Sequence, residues 1–286
     1  MKGLFIIIGE SFRLLKPWKD FSLKARNYTL GDERSYNMQI QASRSHINFF
    51  RFLKKKYNIE CDACINTYTT QYDNELRKVY KDYCINYNFY KLGKFGKGVD
   101  PSAKLQVRDS LRKINNGKKY LFVFILRIDI FLKPLMQKYF NPFLKKITWP
   151  SICWVPHETV KIKNQEGEEI NTKIPRVNDM FIIIPKKFYR QIDILTRYMQ
   201  HHNTWYQYLK YTLLNNGQMD TLLDTYHDSD SGKDWNPLYF IVNRRRKKIW
   251  KSTTWKFNKK TLKKEKMTKK DADKIKLDYN YIELNQ

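Results

Sequence analysis

Arg127 and Asp129 stand inside a strongly apolar stretch, Tyr120–Pro134, which reads YLFVFILRIDIFLKP. A charge in such a run is costly to bury without a partner. Two opposite charges two residues apart fall on the same face of an extended strand. At the end of a buried strand in an open α/β sheet they would stand where ligands bind. The alternative is an ion pair that only holds the strand end together. Two other patterns are weaker. Gly93–Gly98 (GKFGKG) has the glycines and lysines of a phosphate loop, but Val99 follows where that loop needs a lysine and a hydroxyl, so it reads as a flexible turn. Cys61 and Cys64 have CxxC spacing with no second pair or HxxxH partner, so they read as buried thiols.

The elements that would position these residues follow from periodicity. Leu4–Ile8 reads as a first buried strand ending at Gly9-Glu10-Ser11. Residues 16–34 read as a surface loop. Ile40, Ile47, Phe50 and Leu53 recur at helical spacing within Tyr36–Tyr57. Strands are expected at Cys61–Thr67, Cys84–Tyr90 and Leu121–Ile130, and helices at Glu75–Tyr83 and Ser102–Asn115, the last opened by Asp100-Pro101. This alternation implies a mostly parallel sheet with covering helices. Beyond it, Ile152–Val155, Val160–Ile162, Asn171–Ile174, Asp179–Pro185 and Leu238–Val242 read as strands. Lys187–Gln200 and Thr204–Leu214 read as helices, and Asp224–Pro237 as a polar loop. His46 is expected on the packed face of its helix; His157 and the His201-His202 pair are expected in ordinary structural or surface roles.

The chain has 286 residues and a formal charge of +27. Residues 243–286 alone hold 16 basic and 5 acidic residues, with Trp250, Trp255 and Phe257 among them. Such a surface attracts polyanions: nucleic acid, anionic lipid or phosphorylated substrates. The aromatics would stack on bases or pack a final element onto the domain. Lysine-rich composition is also what an AT-rich genome produces. No segment approaches the ~18 apolar residues of a membrane span, and the N-terminal apolar run is too short for a signal peptide. No transmembrane segment is expected, and the location implied is cytoplasmic, in a host cell if the chain is viral.

The segments FIIIGESFR (5–13), SYNMQIQASRSHI (35–47), INTYTTQYDNEL (65–76), LRIDIFLK (126–133), VNDMFIIIPKKF (177–188) and YHDSDSGKDWNPLYFIVNR (226–244) together resemble glycosyltransferases of large algal DNA viruses, such as the capsid-glycan xylosyltransferases of chloroviruses. The resemblance covers residues 4–244 and leaves out the basic tail. It implies a GT-A-like glycosyltransferase domain over 1–244 with a single Rossmann-type sheet, followed by the tail at 245–286. It also implies a UDP-linked nucleotide-sugar donor, with xylose as the candidate sugar, and a glycan on a viral glycoprotein as acceptor. The family's Asp-x-Asp element would hold a divalent metal, Mn²⁺ or Mg²⁺, on the donor diphosphate. Arg127-Ile128-Asp129 matches it with arginine in the first acidic position. Arg127 can itself grip diphosphate bidentately, with Asp129 on the metal or a ribose hydroxyl.

Under that reading Gly9, Glu10, Ser11 and Arg13 meet the nucleotide, with Gly9 allowing close approach. Thr67 and Tyr68 lie on the same edge, toward base or ribose. Arg26 is a further candidate for phosphate or loop ordering. Asp179 is the first choice for general base, with a strand-start cap as its alternative. His227, Asp228, Asp230 and Asp234 suit a metal ligand or a second base, with Asp228 as that base and His227 as that ligand; a solvated acidic turn is the alternative. The competing function is a basic nucleic-acid-binding or processing protein, or a tail that contacts a membrane surface or partner.

Overall fold

The computed structural model describes residues 1–15, 28–91, 106–107, 109–111, 120–150, 152–153, 158–163, 169–174, 180–189, 219–222, 225–226, 238–242, 255–257 and 264–266. Its first strand, β1 (Lys2–Gly9), buries all six interior residues, because both sheet faces are covered. The central sheet continues with β2 (Glu60–Tyr68), β3 (Cys84–Tyr90), β4 (Tyr120–Arg127), β5 (Ile147–Trp149), β6 (Phe181–Pro185) and β7 (Met219–Thr221). Their order across the sheet is β7-β5-β6-β4-β1-β2-β3. Only β6 runs against the others, antiparallel to both β4 and β5. This is the expected Rossmann-type α/β fold, with a central sheet parallel except for one strand.

Strand alternation sorts the core into two layers. Phe5 and Ile7 of β1 join Phe49, Phe50 and Leu53 of helix α1 (Tyr36–Tyr57) and Leu76 and Tyr80 of helix α2 (Asp73–Tyr80). Leu4, Ile6 and Ile8 join Val107, Ile182, Ile184 and Trp149 on the other face. Cys61 belongs to the first layer and Cys64 to the second. Three residues apart on one strand, the two thiols face opposite ways, so the CxxC spacing forms no pair. Burial pushes the Cys61 thiol up to about 12.

Several expectations are corrected. The strand expected over Leu121–Ile130 stops at Arg127; Ile128 and Asp129 form a turn. Ile130–Leu132 then leaves the sheet and pairs antiparallel with Tyr239–Ile241, so the strand expected at Leu238–Val242 also lies outside it. Asp129 is therefore beyond the strand rather than two places along it. The loop expected over 16–34 is partly ordered: Tyr28–Leu30 pairs with Arg13–Leu15, and Glu33–Ser35 makes a 3-10 turn capped by Asp32. Helix α2 starts and ends earlier than expected, with Asp73 accepting the Thr70 amide. The strands expected at Val160–Ile162 and Asn171–Ile174 appear as Glu158–Lys163 and Glu169–Ile174, paired antiparallel. In the basic tail Trp255–Phe257 pairs with Lys264–Lys266. Lys186–Phe188 is a 3-10 turn, and residues 190–200 of the helix expected at Lys187–Gln200, the helix at Thr204–Leu214 and Gly93–Gly98 lie outside the described residues. Among the described residues no helix is long and apolar enough to cross a membrane.

His46 is fully buried on α1, as its spacing suggested. Nε2 lies 2.6 Å from the Ile130 carbonyl, which only accepts, so Nε2 carries the proton. Nδ1, 2.6 Å from the Tyr80 hydroxyl, then accepts. Burial pushes the imidazole down from 6.5 to about 4, opposed by the Ile130 carbonyl and the Asp129 charge. The unfolded chain binds this proton at higher pH than the folded one. The neutral imidazole's contribution is therefore complete above pH 6.5 and lost as pH falls toward 4. We expect wild type to lose about 2 kcal/mol more stability than His46→Gln between pH 7 and pH 5. Urea unfolding at both pH values checks this; equal losses would show that His46 does not titrate differently in the two states.

Candidate functional site

At the carboxyl edge, Gly9 lies opposite Thr67 and Ile8 opposite Arg127, so the ends of β1, β2 and β4 are level. The chain moves from β1 outward through β2 and β3, then returns to place β4 on the other side of β1. Such a reversal of strand order opens the crevice in which α/β proteins take their ligands.

The ladders run out here, and side chains take over. The Gly9 amide donates to Gln106 Oε1 at 2.9 Å. The Ser11 amide donates to Thr67 Oγ1 at 3.0 Å, and the Phe12 amide to Gln39 Oε1 at 3.2 Å. Gln39 Nε2 in turn donates to the Ile128 carbonyl at 2.8 Å, while the Ile128 amide donates to the Ile8 carbonyl at 2.8 Å. One buried glutamine on α1 thus ties the turn after β1 to the turn after β4. Gly9 has φ +119°, where a side chain is strained. Phe12 has φ +50°, rare for a bulky residue and costing about 1–3 kcal/mol. Its buried ring packs on Tyr36 and Tyr72, with centroids 5.9 and 4.9 Å away, and its carbonyl accepts the Gly31 amide.

The expected nucleotide contacts divide. Gly9 and Glu10 are half-buried at the edge, and Ser11 is buried. Thr67 is fully buried and donates its hydroxyl to Ser11 Oγ at 2.8 Å, so it braces the turn. Tyr68 is buried at the end of β2. Arg13 opens the short ladder with Tyr28–Leu30.

Arg127 and Asp129 form a two-pronged pair. Nε donates to Oδ1 at 2.9 Å and Nη2 to Oδ2 at 2.7 Å. Asp129 is 4% exposed and Arg127 23% exposed, so the guanidinium lies toward solvent and the carboxylate behind it. The structure thus shows the ion pair weighed at the outset, formed across a turn. A cation about 4 Å from the guanidinium would be repelled by about 4 kcal/mol per unit charge at an effective dielectric near 20. Among the described residues no group of three or more His, Cys, Asp or Glu could hold a metal ion. Among the described residues, the donors at Asp129 amount to one carboxylate already held by Arg127, too few for a divalent metal. His227, Asp228, Asp230, Asp234, Asp179, Arg26, His157, His201 and His202 lie outside the described residues.

Gln39 and Gln106 escaped the sequence reading. A signal for Gln39 exists: Gln39, Ser43 and His46 fall in helical phase with Phe50 and Leu53, which puts polar groups on a buried face. Such groups need partners. Gln106 belongs to a second network. The Ser110 hydroxyl donates to the Gln106 carbonyl, and Asn66 reaches Ser110 Oγ at 2.7 Å and accepts from Asn88 at 2.7 Å.

No protein-family model matches the chain, and no curated protein matches it in sequence. Solved structures are similar in fold. A protein of Desulfovibrio desulfuricans G20 assigned as a nucleotide-diphospho-sugar transferase has 11% identity and a TM-score of 0.42, over 82% of this chain and 84% of that one. The 4-diphosphocytidyl-2C-methyl-D-erythritol synthase of Anaerococcus prevotii has 10% identity and a TM-score of 0.40, over 85% and 92%. A glycosyltransferase involved in glycosylating the major capsid of PBCV-1 has 5% identity and a TM-score of 0.37, over 77% and 80%. Likenesses of this depth concern the course of the chain and say nothing of its chemistry.

Gln39→Leu keeps the volume but strands the Phe12 amide and the Ile128 carbonyl. We expect it to cost about 2–4 kcal/mol, read by denaturant unfolding, with faster hydrogen exchange at Phe12. A loss below about 0.5 kcal/mol would mean that water replaces the glutamine.

Proposed function

We propose that this chain is a nucleotide-sugar-dependent glycosyltransferase whose donor lies across the carboxyl ends of β1, β2 and β4. The observation that supports it best is the rigid shelf at the strand-order reversal. Gly9, Ser11 and Phe12 are each pinned by a side chain from a different element, and Arg127 ends the neighbouring strand opposite Ile8, just before them. A strained, fully braced backbone beside an arginine suits a ligand with a flat base and a charged tail.

In this reading the Gly9–Ser11 turn and Arg13 meet the nucleotide, with Thr67 and Tyr68 behind them. Transfer breaks the bond between the anomeric carbon and the diphosphate oxygen and makes one to an acceptor hydroxyl oxygen. The diphosphate leaves with the bonding electrons, and the hydroxyl proton goes to a carboxylate. Asp179 is the first candidate for that base. It directly precedes Met180, whose carbonyl faces the Arg127 amide at 3.4 Å. Asp228 is the second. UDP as carrier, xylose as sugar and a viral glycoprotein glycan as acceptor rest on the sequence resemblance. The division into a catalytic domain over 1–244 and a basic tail at 245–286 follows the span of that resemblance, and contact of the tail with a polyanion or membrane surface rests on its charge.

Calorimetric titration with UDP, GDP, CDP, ADP and TDP tests the site, followed by hydrolysis and transfer assays with the matching sugar nucleotides. We expect one diphosphate to bind at about 10–500 μM with weak salt dependence, and Asp179→Asn to lower kcat about 100-fold with KM little changed. Binding by none of the five would sink the reading. Consumption of a nucleoside triphosphate with release of pyrophosphate would replace sugar transfer by nucleotidyl transfer. Binding only of nucleic acid, falling steeply with salt, would favour a polyanion-binding protein.

A further inference from the structure

We infer that Arg127 binds the donor diphosphate without a divalent cation at Asp129, and that Asp129 serves to orient it. This rests on the donor reading above. Both Asp129 oxygens accept from the guanidinium, at 2.9 and 2.7 Å, and the carboxylate is 4% exposed. A cation or ribose hydroxyl on those oxygens would have to share them with the arginine, whose charge repels a cation. The paired contact fixes the guanidinium plane, and the arginine is the member of the pair nearer solvent, beside the Gly9 turn. A planar fork held this way is pre-organised for a second anion.

Asp129 is itself held from behind. Its carbonyl accepts the Val242 amide at 2.8 Å. Its neighbours Ile128 and Ile130 are bonded to Gln39 and His46 of α1. These bonds fix the backbone that carries the carboxylate, and the two bonds to Arg127 hold the carboxylate itself. Because the pair carries no net charge, Arg127 contributes direction. The attraction comes from the field of a chain with net charge +27.

The test is UDP titration by calorimetry in EDTA and in 1 mM Mn²⁺, extended to whichever of GDP, CDP, ADP and TDP binds. We expect the two dissociation constants to agree within about threefold. Arg127→Met should weaken binding about 50-fold and Arg127→Lys about 10-fold, since lysine keeps the charge but loses the fork. Asp129→Asn should weaken it about 5-fold, equally in both buffers, because the arginine is less well aimed. Thermal unfolding shows whether each variant is folded, and the lysine variant stands in if the methionine variant is not. Tightening of tenfold or more by Mn²⁺, lost in Asp129→Asn, would overturn the inference and leave the donor site intact. Arg127→Lys binding as well as wild type would overturn it too. Failure of all five diphosphates to bind in either buffer would overturn the donor reading itself.

Discussion

Once Ile128–Leu132 leaves the central sheet, its peptide groups no longer have that ladder to pair with, and burying an unpaired peptide group costs as much as a lost hydrogen bond. Helix α1 supplies much of what is missing. Gln39 donates to the Ile128 carbonyl, His46 to the Ile130 carbonyl, and the Ser45 hydroxyl accepts the Leu132 amide at 2.9 Å. The polar residues on the inward face of α1 thus meet the segment that carries Asp129. The same glutamine accepts the Phe12 amide. The position of the charged pair and the shape of the β1 turn are therefore set by one helix, which Phe49 and Phe50 anchor on Phe5 of β1.

That arrangement explains how a strained residue persists. A positive φ at Phe12 is held because its amide, carbonyl and ring are all engaged. On the other face of the sheet, the Gln106–Ser110–Asn66–Asn88 network reaches the Gly9 amide. Two polar networks, one per face, converge on four residues, Gly9–Phe12. A ligand at this edge would meet a surface that is already ordered, and so would lose less conformational freedom on binding.

Much of the sheet could be read directly from the chain. Tyr36–Tyr57 and Cys84–Tyr90 occur at the expected bounds, since each is long or sharply bounded. The end of β4 could not, because the apolar run continues through Ile130–Leu132 and hydrophobicity does not say which sheet a residue joins. The reversed direction of β6 was also hidden: FIIIP is buried on both faces whichever way it runs. Ile147–Trp149 and Met219–Thr221 are too short to show alternation. At the site, Arg127 and Asp129 stood out because charges in an apolar run are rare. Gln39 and Gln106 did not, because a single amide looks the same whether it braces a backbone or faces water.

The turn between Arg127 and Asp129 changes what the pair can do. On a continuous strand both side chains would project side by side, each open to its own ligand. With Asp129 carried around the turn, its carboxylate comes back against the guanidinium and becomes the inner member of the pair. Burial then favours keeping the two together, since removing either leaves a desolvated charge. The outer member would decide what kind of ligand the edge accepts. An arginine there offers N–H donors, which suit an oxyanion and repel a cation. The same Asp129 charge opposes the burial effect on the His46 imidazole, which nevertheless stays neutral at physiological pH. A neutral imidazole adds no positive charge beside the aspartate, and the aspartate's two bonds to Arg127 orient the guanidinium.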